Sequence, residues 1–196
     1  MAIVSRRTAL VGIGAGGAAG LGLLAFTDRG RTLWRTPEEA RKAGLGYKTL
    51  DTGEVAMLEA LGETLLPGAR EAGIAHYVDH HVTQTAAKSL LMIRYLDIPP
   101  PYIEFYRAGL KALDGFSHSM NGKTFADQDP SSAIAIVRSI SNPDPSAAPK
   151  NWRGPPAALF YFVTRADAVD VVYGTEKGMK KLGLPYMAHI LPETPW

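Results

Sequence analysis

Pro155-Pro156-Ala157-Ala158-Leu159-Phe160-Tyr161-Phe162-Val163-Thr164-Arg165-Ala166-Asp167-Ala168-Val169-Asp170-Val171-Val172 decides the architecture. The two prolines pre-set the backbone for a first helical turn. Leu159, Phe160, Phe162, Val163, Ala166, Val169 and Val172 then put apolar groups on most sides of that helix. A helix apolar nearly all round is normally the centre of a bundle. The rest of the chain is therefore expected to wrap it.

The flanking sequence reads as helices too. Thr36-Pro37-Glu38-Glu39 is a start signal: a capping threonine, a first-turn proline, then acids favoured by the helix dipole. Asp51 or Thr52 begins a second helix, whose Val55, Leu58, Leu61 and Leu65 form one apolar stripe, and Pro67-Gly68 ends it. The periodicity predicts a third helix from about Ile74 to Leu96, with Tyr77, His81, Gln84 and Lys88 on one side. Pro99-Pro100-Pro101 stops that helix and seeds a fourth, which carries Ile103, Tyr106, Leu110 and Leu113. Asp129-Pro130 caps a short helix through Ile134, Val137 and Ile140. No stretch alternates at period two for long enough to make a sheet, and no internal repeat is visible. The expected fold is an all-α, compact helical bundle over residues 31–172.

Bulk properties fit one such domain. The chain has 196 residues, 46% hydrophobic and 20% charged, which is ordinary for a globular protein. Its 21 basic and 19 acidic residues leave a net charge of +2 and no basic cluster, so nucleic acid is not an expected partner. There is no cysteine. That removes disulfides, a thiolate nucleophile, cysteine-ligated iron–sulfur clusters and Cys-x-x-Cys-His haem attachment. Any electrons handled by a complex containing this chain must pass through other subunits.

Residues 1–30 read as a targeting segment. Ser5, Arg6, Arg7 and Leu10 resemble a twin-arginine signal, followed by an uncharged run from Thr8 to Thr27. Six glycines weaken its hydrophobicity, as suits a pathway that exports folded cargo. The expectation is export by that route to the periplasm. As a helix, residues 8–27 would span about 30 Å, enough to cross a bilayer core. Cleavage and retention as a membrane anchor therefore both stay open. Gly12-Ile13-Gly14-Ala15-Gly16-Gly17 also matches the dinucleotide-binding fingerprint. That fingerprint needs a strand before it and a second strand ending in an acid about twenty residues on. Two arginines precede this run and Arg29-Gly30-Arg31 follows it, so the signal reading is preferred.

Residues 173–196 change character. One short helix at most, stopped by Gly183, precedes an apolar stretch with prolines at 185, 192 and 195. Such a segment is too apolar for a solvated tail and lies in a groove, on its own domain or on a partner. The preferred reading is a partner interface made by Tyr173, Gly174, Gly178, Leu182, Pro185, Tyr186, Met187, Ile190 and Trp196.

Four stretches in order resemble the gluconate 2-dehydrogenase subunit 3 family. They are the twin-arginine start, Leu58 to Gly68, Gly73 to Asp79, and Tyr173-Gly174-x-x-x-Gly178 with Leu182-Gly183-x-Pro185-Tyr186. Many members carry a second glycine where this chain has Thr175, which leaves the substrate of the large subunit open. The resemblance implies a non-catalytic small subunit with no cofactor of its own. Its partner would be a large FAD-dependent dehydrogenase of the glucose–methanol–choline type, acting on a sugar or alcohol, often with a cytochrome c subunit. The small subunit would assist maturation of the large one and carry the export signal for both.

Two other classes stay open. A stand-alone exported helical binding protein would share the same periodicity. A metal-binding enzyme would use His76 and His80, four apart on one helix face, with His118 or an acid as a third ligand. The H-E-x-x-H pattern is absent, since Asp79 is not at its glutamate position, and histidines near a helix start are expected at the surface. No G-x-S-x-G occurs, and Ser117-His118-Ser119 reads as a polar helix end. No catalytic, cofactor-binding or metal-ligating residue is therefore assigned.

Overall fold

The computed structural model describes residues 36–185. The export signal at Ser5, Arg6, Arg7 and Leu10 lies outside the described residues, as does the run 8–27. Tyr186, Met187, Ile190 and Trp196 of the tail lie outside them too. Among the described residues all regular structure is helical. In chain order the helices are α1 (Pro37–Lys42), α2 (Thr52–Leu65), α3 (Ile74–Val82), α4 (Ile103–Asn121), α5 (Pro130–Ile140), α6 (Ala157–Tyr173) and α7 (Glu176–Lys181).

The start signals act as their chemistry requires. Thr36 accepts the Glu39 N–H and the Glu39 carboxylate accepts the Thr36 N–H, a reciprocal box that opens α1. Asp51 and Glu54 form the same box at α2. Asp129 accepts the N–H groups of Ser131 and Ser132 at α5. Such a cap typically contributes about 1 kcal/mol, because it satisfies donors that a helix N-terminus leaves open.

The core is one cluster. Leu58 and Leu61 from α2, Tyr77 and Val78 from α3, Tyr106 and Leu113 from α4, Ile136 and Ile140 from α5, and Phe160 and Val163 from α6 are all buried in it. Each such side chain contributes roughly 1.5–3 kcal/mol. α6 contacts α2, α3, α4 and α5, so it is the central helix its composition predicts. Its approach to α4 depends on Gly109, where a Cβ would come within 2.1 Å of the Phe160 ring. The α2–α3 turn depends on Gly73, which has φ +85° and sits against the Pro37 carbonyl.

Two expectations are corrected. The helix predicted over Ile74 to Leu96 ends at Val82, and the chain returns through a 3-10 turn, Met92–Tyr95. One local and two longer-range hydrogen bonds account for this. The Thr83 hydroxyl donates to the His80 carbonyl at 2.7 Å, which competes with helix continuation. The Tyr77 hydroxyl donates to the Leu90 carbonyl, and the Asp167 carboxylate takes the Met92 N–H at 3.0 Å. The second correction concerns α6. It is not covered all round: Phe162 is 46% exposed and Val169 39% exposed, with Arg165 exposed between them.

Asp79 holds a second irregular segment. Its carboxylate, 5% exposed, accepts the backbone N–H groups of Lys48, Thr49 and Leu50 at 2.8, 2.8 and 2.9 Å. It thus ties the loop ahead of α2 to α3. Asp79→Ala would strand three donors, so a loss of about 3 kcal/mol or more in denaturant-unfolding stability is expected. Asp79→Asn keeps one accepting oxygen and should lose clearly less. Equal unfolding midpoints for the parent and both variants would show that the tie contributes nothing.

Candidate functional site

The C-terminal corner is built around two glycines. α6 ends at Tyr173, and the Gly174 N–H bonds the Asp170 carbonyl at 2.8 Å; a Cβ on Gly174 would lie 2.5 Å from that oxygen. Thr175 caps α7 by accepting the Gly178 N–H at 3.0 Å. Gly178 is buried, and a Cβ there would meet the Val172 carbonyl oxygen at 2.2 Å. The Tyr-Gly-x-x-x-Gly spacing therefore lets α7 lie directly on the backbone end of α6. At the far end of α7, Gly183 has φ +68°. Its N–H bonds the Lys180 carbonyl, while the Leu184 N–H bonds that of Met179, the Schellman reversal. Leu182 and Leu184 project outward, 49% and 54% exposed.

Of the residues expected at a partner interface, five are described. Leu182 and Pro185 are exposed, Tyr173 and Gly174 are half-buried, and Gly178 is buried. The two glycines serve the α6–α7 contact, and Tyr173 and Leu182 remain accessible on this corner.

α7 also forms one wall of a groove of about 750 Å³, whose other walls are the first turn of α1, the turn after α2 and the last turn of α6. Glu38 bridges the walls: Lys177 Nζ lies 2.7 Å from both of its oxygens and Lys42 Nζ lies 2.6 Å from one. These two ammonium groups hold the Glu38 carboxyl below its ordinary range. The lysines are largely exposed, so the clasp orients α7 more than it stabilises it. Tyr173 belongs to the groove and also ends the uncovered stripe of α6, where Phe162, Ala166, Val169 and Tyr173 follow at spacings of four, three and four.

His76 and His81 on α3 are packed into the bundle, and His80 between them is half-buried. His76 is buried at 7% exposure, not at the surface as expected, with Nε2 bonding the Leu45 carbonyl at 3.0 Å and the Tyr47 ring 4.3 Å away. Burial lowers its pKa and pushes that of His81 down to about 3. Asp79 is engaged by the 48–50 backbone. His118, on the last turn of α4, bonds the Asp114 carbonyl, and Ser117 donates to the Lys123 carbonyl as part of a helix-end tie. No group of three or more His, Asp or Glu among the described residues is placed to hold a metal.

The acids whose pKa is raised lie on α6. Asp167 is 1% exposed; its carboxylate accepts the Tyr106 O–H at 2.6 Å and the Met92 N–H at 3.0 Å. Burial pushes its pKa up to about 7 against the opposing pull of those two donors, and burial pushes Asp170 up to about 6. Raised carboxyls are what a general acid needs. Here Asp167 is sealed by Tyr106 and the 92–95 turn, and neither acid lines the groove. The arrangement is a structural tie. Its signal in the sequence is an acid inside an otherwise apolar helix.

In a comparison with protein families, the model described as gluconate 2-dehydrogenase subunit 3 matches residues 52–190. No curated protein and no solved structure matches the chain. The matched span starts at α2 and includes α2 to α7 with the C-terminal corner, leaving out α1.

The buried acids set a pH dependence. Asp167 and Asp170 keep their protons when folded over a range where the unfolded chain, with carboxyls near 3.8, has lost them. Between about pH 4 and 7 the folded state thus binds more protons, and their contribution makes stability fall as pH rises. Urea unfolding at pH 5 and pH 8 should show parent stability declining more across that interval than Asp167→Asn stability. Identical declines would mean that Asp167 titrates normally.

Proposed function

Because the chain belongs to the gluconate 2-dehydrogenase subunit 3 family, and so is a subunit of a dehydrogenase complex, we propose that it is the non-catalytic small partner of an exported FAD-dependent sugar or alcohol dehydrogenase. The large subunit, of the glucose–methanol–choline type, holds FAD and oxidises the CH–OH group. A cytochrome c subunit is a fitting electron acceptor. This chain assists maturation of the large subunit and carries the twin-arginine signal for both to the periplasm.

The observation that carries this reading is the family match over residues 52–190. Physical features support it. The buried carboxylates of Asp79 and Asp167 are spent on holding loops and helices in place. The central helix keeps an apolar stripe uncovered by its own domain, with Phe162 and Val169 at its middle. Aromatic and aliphatic side chains presented together in this way are the usual anchors of subunit contacts. The stripe runs into the C-terminal corner, so docking by residues 173–196 extends one continuous surface.

The direct test is co-purification: a tagged version of this chain should bring down a flavin-containing dehydrogenase, and recovery of the tagged chain with no flavoprotein would reject the reading. Deleting residues 184–196 should weaken that complex more than about tenfold while the melting transition of the bundle persists. A normal complex yield would remove the tail from the interface. For export, changing Arg6 and Arg7 together to lysine should hold both this chain and its large partner in the cytoplasm. A partner that still reaches the periplasm at parent level would show that it does not travel on this signal.

A further inference from the structure

We propose that the groove between α1, the turn after α2 and α7 is the seat of the chain's own residues 29–35, Arg29-Gly30-Arg31-Thr32-Leu33-Trp34-Arg35, so that the root of the targeting segment is fastened to the folded bundle. This goes beyond the assignment of a dehydrogenase partner and does not rest on it. It holds whether or not the preceding residues are removed.

The first argument is where the chain enters. Thr36 and Pro37 line the groove themselves. An extended residue advances at most about 3.6 Å, so Trp34 starts within roughly 7 Å of the groove wall. Seven residues reach about 25 Å at most, enough to run along the groove. The capping box fixes the Thr36 backbone and so the point of departure.

The second argument is chemical fit. Pro37, Pro67, Ala72, Val171 and Val172 give the groove apolar walls that the described residues leave open. Leu33-Trp34 is the apolar pair nearest in sequence to them. Charge selects the same segment. It holds three arginines and no acid. Glu71 and Glu176 stand exposed among the lining residues, while Glu38 is clasped by Lys42 and Lys177. Lys180 and Lys181 line the α7 wall, so the arginines belong on the opposite wall, beside Glu71. The alternative occupant, residues 186–196, is less well placed. The last residue of α7 in the groove lining is Lys181, the chain then reverses at Gly183, and Pro185 is not in the lining.

The test uses the full-length chain and chymotrypsin, with cleavage after Trp34 followed by mass spectrometry. Docking should slow that cleavage about tenfold or more relative to Arg29→Glu/Arg31→Glu, which alters only residues ahead of α1 and away from the scissile bond and so leaves the bundle folded. Glu71→Lys/Glu176→Lys should expose Trp34 to the same degree. Combining both pairs of changes should restore protection, because the charges are then exchanged. Circular dichroism and the melting midpoint identify any variant that has lost its fold. If the groove variant has, the arginine pair decides alone. Cleavage at one rate in the parent and the folded variants would overturn the proposal. Protection that disappears on deleting residues 186–196 would give the groove to the tail, and protection that grows with protein concentration would give it to a second copy; both overturn it.

Discussion

The Asp167 carboxylate is the constraint on which the described bundle depends most. It sits on the central helix with 1% exposure and takes hydrogen bonds from Tyr106 on α4 and from the Met92 backbone. Removing a carboxylate from water is costly, and its raised pKa records that cost. In return, one side chain sets the register of α6 against α4 and pins the return of the chain after α3. An apolar side chain of similar size would fill the space but leave the Met92 N–H and the Tyr106 hydroxyl without their partner. Asp79 does the equivalent work for the loop ahead of α2 through three backbone donors. Two buried acids thus position two irregular segments, which packing alone holds weakly because it has no directionality.

The central helix has two jobs with opposite demands. Facing inward, Phe160 and Val163 close the core, with Gly109 removing the side chain that would hold α4 away. Facing outward, Phe162 and Val169 remain open to solvent, which disfavours the isolated chain. The Gly174 and Gly178 contacts place α7 at the end of the same helix, so the uncovered stripe, the C-terminal corner and the groove form one connected region rather than scattered patches.

Local chemistry was legible in the sequence by itself. Thr36, Asp51 and Asp129 each stand a few bonds from the donors they satisfy, so their helix starts could be read directly, as could the stop at Gly183 and the all-helical class. The apolar content of α6 announced its central position, and the ordered motifs announced the family. Tertiary structure alone decided the rest. Whether a helix continues past Val82 depends on Leu90 and Met92 finding Tyr77 and Asp167, the latter 75 residues away from Met92. Whether His76 is a ligand or a packed core residue depends on Leu45 and Tyr47 closing over it. Which side of α6 stays bare depends on where the elements packed against it settle. Periodicity describes one helix at a time, whereas burial and long-range hydrogen bonds belong to pairs of segments, and the sequence carries no local mark of which pairs will meet.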